Sequence, residues 1–409
     1  MKKIALLSLV ASSILMAGGY KIPETSTNAV ALGAANIAHN QNNADAAYYN
    51  PAKMVFMSDE NHLEADLMYI GLDSVNYQGQ YTYPVTLGGT TIVTNLDSKS
   101  EDFLIPSFHY VSPKLGDSGV RVGLSIVSPG GLSKRWDAQP ARMTAEEFSL
   151  QTIEINPTAA FQINKNLAVA VGFRLLYSEG TAKGNLPGVI SQDMTGDSID
   201  VGYNLAIAYN PTEALELGVT YRSQIDMTLE GNADLYQIAL MNPIAGYSGS
   251  VDLPMPGSLS LAAAYTLPSK TTVEFVYEKT YWSAYKDLNF EYANPLAEAV
   301  FGIPKPKDWK DTNTFRIGIT QELDNLTLMA GYVIDESPVP NTTIGFELPD
   351  TDSQAVSLGG RYKVNEKLDI ALSGLYSMHE SRTVNNTSLN GEFSDGNVLI
   401  ISAGLGYKF

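Results

Sequence analysis

Val398-Leu399-Ile400-Ile401-Ser402-Ala403-Gly404-Leu405-Gly406-Tyr407-Lys408-Phe409 closes the sequence, and its reading decides the fold. Leu399, Ile401, Ala403, Leu405, Tyr407 and Phe409 fall on one side of an extended chain. Val398, Ile400, Ser402, Gly404, Gly406 and Lys408 fall on the other. Period-two alternation of this length is a strand, because successive side chains point to opposite faces. One face is apolar and ends in aromatics, while the other is mostly small or polar. A soluble edge strand can also end in Phe, but an apolar-out, polar-in strand of a lipid-embedded barrel accounts for both faces.

The pattern recurs upstream over residues 62–81, 103–111, 120–126, 153–163, 167–177, 201–209 and 215–221. It continues over 259–265, 272–285, 315–319, 326–332, 356–362 and 368–378. With the terminal strand this gives about fourteen, an even number as single-chain bacterial barrels require. Connection lengths are an independent check. Tight links at 114–118, 164–166, 210–214, 268–270, 324–325 and 365–367 alternate with long ones. The long links are 80–102, 129–149, 179–198, 231–257, 289–311, 335–353 and 379–393. Short turns at one end and long loops at the other are the mark of a transmembrane barrel, with the long loops facing outward. The fold class expected is all-β: a transmembrane antiparallel β-barrel with an N-terminal hatch, or plug, inside the lumen.

Composition agrees. Charged residues make up 17% of the chain against 44% hydrophobic, with 34 Gly and 23 Tyr, which suits a barrel wearing an aromatic girdle. A net charge of −18 excludes nucleic acid as a partner, since a phosphate backbone needs a basic face. With no Cys, disulfides, thiolate metal sites and Cys nucleophiles are unavailable. Lys2 and Lys3, an apolar run to Met16, and then Ala17, Gly18 and Gly19 read as a secretory leader over residues 1–19, with Tyr20 the first mature residue. The run is too short to cross about 30 Å of hydrocarbon as a helix, and no later stretch approaches the necessary length.

Residues 20–58 lack the alternation. They are rich in Ala and Asn and lead through Asn50, Pro51 and Ala52 toward the barrel of residues 59–409. Small residues let short helical turns pack tightly, and Asn supplies hydrogen bonds in a wet, confined space, as a plug requires. Within the barrel the inward positions include Glu64, Asp66, Glu154, Arg174, Glu216, Arg222, Glu274, Arg316, Arg361 and Asp369. Charges of both signs there must pair or meet water. They either brace the barrel and its plug or line a conduit, and His109, Arg174, Lys183, Arg222, Arg316 and Arg361 are the candidates for a ligand in the lumen. Ser128, Pro129, Gly130 and Gly131 end the third strand. Proline donates nothing to a ladder and paired glycines bend a strand, so this is either a strand running into a loop or a side opening in the wall.

Several segments together resemble the FadL/TodX family of outer-membrane transporters for long-chain fatty acids and other hydrophobic compounds. Gly33-Ala34-Ala35 and Asn50-Pro51-Ala52 are similar to the family's hatch. Residues 103–109 resemble its second strand, and 253–259 the approach to its eighth. Trp309-Lys310-Asp311-Thr312, Ala330-Gly331-Tyr332, residues 335–340 and residues 348–352 follow in the family's order. The resemblance implies fourteen strands, capture of ligand at outer loops, gating by the hatch and sideways exit at a kink in the third strand. Two departures stand out. The loop at 179–198 is short, and Ser178 and Glu179 occupy the neighbourhood where fatty-acid members carry a basic residue, leaving Lys183 as the substitute. Hydrocarbons and aromatics are therefore candidates beside fatty acids.

The expected function is passive uptake of hydrophobic small molecules across the outer membrane of a Gram-negative bacterium. A general porin-like diffusion channel with a structural plug is the alternative. An enzyme is not expected: His39, His62, His109 and His379 are the only histidines, and none has Ser-His-Asp or metal-ligand spacing. No cofactor or metal is implied. The partners expected are the ligand, outer-membrane lipid and lipopolysaccharide, and the barrel assembly machinery during biogenesis, with the protein itself a monomer.

Overall fold

A computed structural model describes residues 18–237 and 244–409. The leader read from residues 1–19 falls almost wholly outside these residues. A closed antiparallel barrel of 14 strands surrounds the N-terminal segment. The first seven strands are His62–Leu72, Glu101–Val111, Val120–Val127 continued as Gly131–Lys134, Glu147–Asn164, Leu167–Leu186, Ile190–Tyr209, and Leu215–Arg222 continued as Ile225–Gln237. The second seven are Ile244–Met255 continued as Ser258–Thr266, Thr271–Thr280, Thr312–Glu322, Leu326–Asp335, Ser353–Lys363, Leu368–His379 and Val398–Lys408. The last strand pairs with the first from His62↔Lys408 to Leu72↔Val398, which closes the wall and removes both edges.

The terminal strand behaves as its alternation requires. Leu399, Ile401, Leu405, Tyr407 and Phe409 are exposed on the outer face, whereas Val398, Ile400 and Ser402 are buried inside. In lipid the exposed face is the favourable one, because the hydrocarbon solvates it and the ladder satisfies every backbone group.

Three expectations are corrected. The stretch 62–81 is not one strand: it leaves the barrel after Leu72, and Val75–Thr82 joins Thr91–Asp97, Arg382–Asn385 and Leu389–Asp395 in a separate four-stranded sheet. The long links at 179–198 and 231–257 are largely strand, since the fifth to eighth strands rise well past the apolar belt. There the polarity inverts. Met227, Leu229, Ala233 and Leu235 are buried inward while Asp226, Thr228, Glu230 and Asn232 face out, the pattern of a sheet in water. Finally, the ninth strand ends at Thr280, and Trp282–Ala284 turn inward.

The loops do not hang free. Tyr77, Tyr81, Trp136, Phe346 and Phe393 form one buried cluster over the loop end of the barrel. Trp136 donates from Nε1 to the carbonyl of Phe346 at 2.9 Å, so its one polar atom is satisfied inside that core.

Candidate functional site

Inside the barrel, residues 20–57 are buried almost throughout. They carry two short helices, Thr27–Leu32 and Ala46–Tyr49, and a 3-10 turn, Pro51–Phe56. Asn50 fixes the turn. Its side-chain oxygen accepts from Ala52 N at 3.1 Å, while Nδ2 donates to Ile37 O and to the wall at Ile207 O, at 2.9 and 3.2 Å. Pro51 stands at the first position of the turn, where its missing N–H costs nothing. Wall glycines make room: a Cβ on Gly218 would meet Ile37 O at 2.9 Å and Asn50 Nδ2 at 3.1 Å, and one on Gly123 would meet Met54 Sδ at 2.6 Å.

The inward charges hold this segment. Glu274 accepts from the backbone N–H groups of Ile37, Ala38 and His39 at 2.7, 2.7 and 3.0 Å. Asp66 accepts from Thr27 N and Oγ1 at 3.1 and 2.6 Å. Arg121, which sequence reasoning did not single out, donates to the carbonyls of Met54, Met57, Ser58 and Glu60 at 2.6 to 3.2 Å. Only its place in an alternating strand hinted at that role. Glu216 pairs with Lys53 and with His39 Nδ1, the latter at 2.7 Å. Burial would by itself lower the His39 pKa, but the Glu216 hydrogen bond and charge, with Glu274 nearby, raise it above the ordinary value.

Of the six lumen candidates, two act wholly inside the structure. Arg361 is buried between Glu64 and Asp369 and donates Nε to Asn28 Oδ1 at 3.0 Å. His109 faces Ser125 Oγ at 3.0 Å and Thr25 O at 3.2 Å. A carbonyl only accepts, so Nε2 donates to Thr25 O. Lys183 is not in the lumen. It shares the outward parity of Tyr177 and Glu179 and pairs with Glu147 and Asp193 at 3.7 and 3.5 Å.

The remaining three come together. Arg174 and Arg222 share Glu154, and Arg174 also donates to Ser223 O at 2.6 Å. The Arg222 guanidinium lies 4.3 Å from the Tyr48 ring centroid. Arg222 and Arg316 line one cavity with Ile37, Tyr48, Ser258, Ser260 and Val276. Each carries a buried N–H without a partner, Nη1 of Arg222 and Nε of Arg316. Higher in the barrel lies a second cavity, walled by Leu150, Leu229, Val251, Leu253, Leu288 and Phe290 and by no charged residue. Each is a narrow, partly open recess, with about 450 Å³ of space free of atoms once the adjoining solvent is included.

Between the two cavities the eighth strand presents Met255 to the break in the third. The ladder joining the second and third strands runs only from Phe108↔Ile126 to Val111↔Gly123. Beyond it, Pro129 to Gly131 turn to the N-terminal segment instead. Ile22 N donates to Pro129 O at 2.9 Å, and Gly131 N donates to Tyr20 O at 2.8 Å. Gly130 N donates to Thr152 Oγ1 at 3.1 Å, and Ser128 is buried. Ser133 Oγ donates to Glu101 Oε2 at 2.7 Å, closing the far end of the interruption.

Comparison with known proteins places this arrangement. Residues 8–409 match the model of the family described as outer membrane protein transport protein (OMPP1/FadL/TodX). The chain is 22% identical to Outer membrane protein P1 of Haemophilus influenzae, over 90% of this chain and 89% of that one. It is 24% identical to the Long-chain fatty acid transport protein of Escherichia coli, covering 81% and 80%. Among solved structures, a Pseudomonas aeruginosa FadL homologue superposes with a TM-score of 0.84 at 20% identity, covering 96% of this chain and all of that one. The Pseudomonas putida toluene transporter TodX gives 0.71 at 17% identity, covering 94% and 98%. The chain therefore belongs to the OMPP1/FadL/TodX family of outer-membrane transport proteins, multi-pass barrels of the outer membrane that are transporters and not enzymes.

Proposed function

We propose that the protein passes hydrophobic small molecules inward across the outer membrane without an energy source. Ligand is captured among the outer loops, moves through the two cavities, and leaves sideways through the break in the third strand. Movement of the N-terminal plug gates the route. The observation that carries this reading is the convergence on the eighth strand: Val251 and Leu253 line the upper cavity, Ser258 and Ser260 the lower, and Met255 between them faces Gly130. An apolar solute would then reach lipid without becoming a free species in the periplasm.

Relatives named for fatty acids and for toluene set the ligand choice. The unpartnered guanidinium donors of Arg222 and Arg316 favour a ligand with an anionic or strong acceptor head. The uncharged upper cavity suits its tail. The protein works as a monomer, inserted by the barrel assembly machinery among lipid and lipopolysaccharide.

Vesicles bearing the protein, given labelled oleate or toluene outside, test the reading. The expected result is faster transfer into the bilayer than in protein-free vesicles, with little conductance in potassium chloride. High conductance with no hydrophobic transfer would instead establish the general porin.

A further inference from the structure

Between the two plug helices the chain runs Asn36-Ile37-Ala38-His39-Asn40-Gln41-Asn42-Asn43-Ala44-Asp45. Each amide there must place both donors and an acceptor. Asp45 orders the donors: its carboxylate accepts from Ser26 Oγ at 2.8 Å, Asn36 Nδ2 at 3.3 Å and Asn40 Nδ2 at 3.2 Å. An ionised carboxylate only accepts, so the Asn36 amide turns its nitrogen to Asp45 and its oxygen away. That oxygen has no partner in the protein, although Asn36 is only 7% exposed. Gln41 Oε1 is buried and unpartnered as well. Both residues line one narrow recess against Thr272, Glu274 and Thr320 of the wall, with room for about one water-sized body. Asn40 lines it too and also borders the open cleft at the turn end beside Lys53 and Glu216, from which solvent ions can enter.

The recess is negative. Asp45 and Glu274, 1% and 3% exposed, both line it, and no lysine or arginine does. Among the described residues neither carboxylate has an ion-pair partner. Glu274 holds three peptide N–H groups, Arg361 is bonded to Glu64 and Asp369, and His39 Nδ1 faces Glu216. Arg361 and His109 act on Asp45 only at longer range. His39 Nε2 also lacks a partner, and with the ring proton on Nδ1 toward Glu216 it adds a lone pair.

We propose that this recess binds a single alkali-metal cation, sodium or potassium, on Asn36 Oδ1 and Gln41 Oε1, with Asp45 and Glu274 supplying the charge. Unpartnered oxygens beside buried carboxylates favour a positive guest, and the space excludes an organic one. Hard cations take oxygen ligands. A divalent ion is a poorer match, because calcium uses about 6–8 oxygens with carboxylates prominent among them. Here both carboxylates already accept from N–H donors, and no three His, Asp or Glu among the described residues are placed to hold a metal ion. The bound ion ties the segment between the plug helices to strands nine and ten, away from the wall break and from both cavities of the ligand route. It therefore sets how firmly this end of the plug is held without touching the transported molecule.

The test uses full-length protein purified from outer membranes, in sodium, potassium or N-methylglucamine chloride at equal ionic strength and one pH. Hydrogen exchange is read on the peptide spanning residues 36–45. Exchange is expected to slow at least fivefold, saturably, in sodium or potassium relative to N-methylglucamine, which is too large to enter. Gln41→Leu removes one of the two unpartnered oxygens and leaves the Asn36–Asp45 bond, so it should raise the half-saturating concentration at least fivefold with little change in N-methylglucamine. Wild-type crystals soaked in thallium(I) nitrate should show an anomalous peak between Asn36 and Gln41. The wild-type measurements decide even where the variant does not assemble. Equal exchange in the three salts means that water alone fills the recess and overturns the proposal, as does thallium bound only elsewhere.

Discussion

Met255 and Gly130 meet across the lumen: the Met255 methyl carbon lies 2.5 Å from the position a Gly130 Cβ would take, with Tyr20 O at 2.9 Å. Any side chain at residue 130 therefore displaces a flexible methionine or the plug backbone, at the point where the wall ladder is interrupted. Gly130→Leu is expected to insert normally, as heat-modifiable migration on a gel reports, and to lower oleate or toluene transfer at least tenfold. Met255→Ala in the same protein removes the collision and restores part of the rate. Unchanged transfer in Gly130→Leu would remove the sideways exit.

Asn50 makes the second prediction. Asn50→Ala loses the donor to Ile37 O and Ile207 O and the acceptor for Ala52 N. Loss of a helix cap and its buried hydrogen bonds costs about 1–2 kcal/mol. That loss falls on the plug's hold and not on the barrel, whose ladder is untouched. The expected outcome is an unchanged unfolding midpoint for the barrel with more frequent conductance openings in planar bilayers. Wild-type conductance would mean that the plug is held without this turn.

How far the sequence could be read follows from where its period reports the solvent. In the lipid belt each strand has one apolar and one polar face, so the terminal strand and its thirteen partners could be found from alternation. Past Tyr221 the outer face meets water and the lumen face turns apolar, so Asp226, Thr228 and Glu230 resemble a polar loop although they stand in a strand. The outer sheet was hidden for a related reason, since Val75–Thr82 continues the period of the first strand after only two residues. At the site, Asn50 and Pro129 were legible because turn chemistry is local. The pairing of Arg222 with Glu154, 68 positions away, and the partners of Arg121 depend on barrel closure, which no local pattern encodes.

Arg361 and Arg222 separate bracing from binding. Arg361 stands between Glu64 and Asp369 and also holds Asn28 of the plug. Its removal strands buried carboxylates, which costs about 3–5 kcal/mol. Arg361→Ala is expected to lower the urea midpoint sharply and reduce the amount of folded barrel. Arg222→Ala leaves Glu154 paired with Arg174 at 2.9 Å, so stability should change little. Oleate transfer should fall more than toluene transfer, because the unpartnered guanidinium donor is lost. Equal effects on both ligands would deny Arg222 a head-group role.

The last prediction concerns pH at the turn end of the barrel, where His39 is bonded to Glu216 beside Lys53. The folded-state pKa of His39 is raised, since the Glu216 hydrogen bond and charge outweigh the lowering by burial. A raised pKa means that the folded plug binds the proton more tightly than the unfolded chain. Its contribution is thus fully present below the unfolded value of about 6.5, and is lost as pH rises through the folded value. Plug protection, followed by hydrogen exchange at Ile37 and Ala38, is expected to weaken as pH climbs above about 6.5, after correction for the intrinsic pH dependence of exchange. His39→Gln should abolish the residual slope without touching the barrel, because Glu216 keeps Lys53. A slope that survives this substitution would place the titrating group elsewhere.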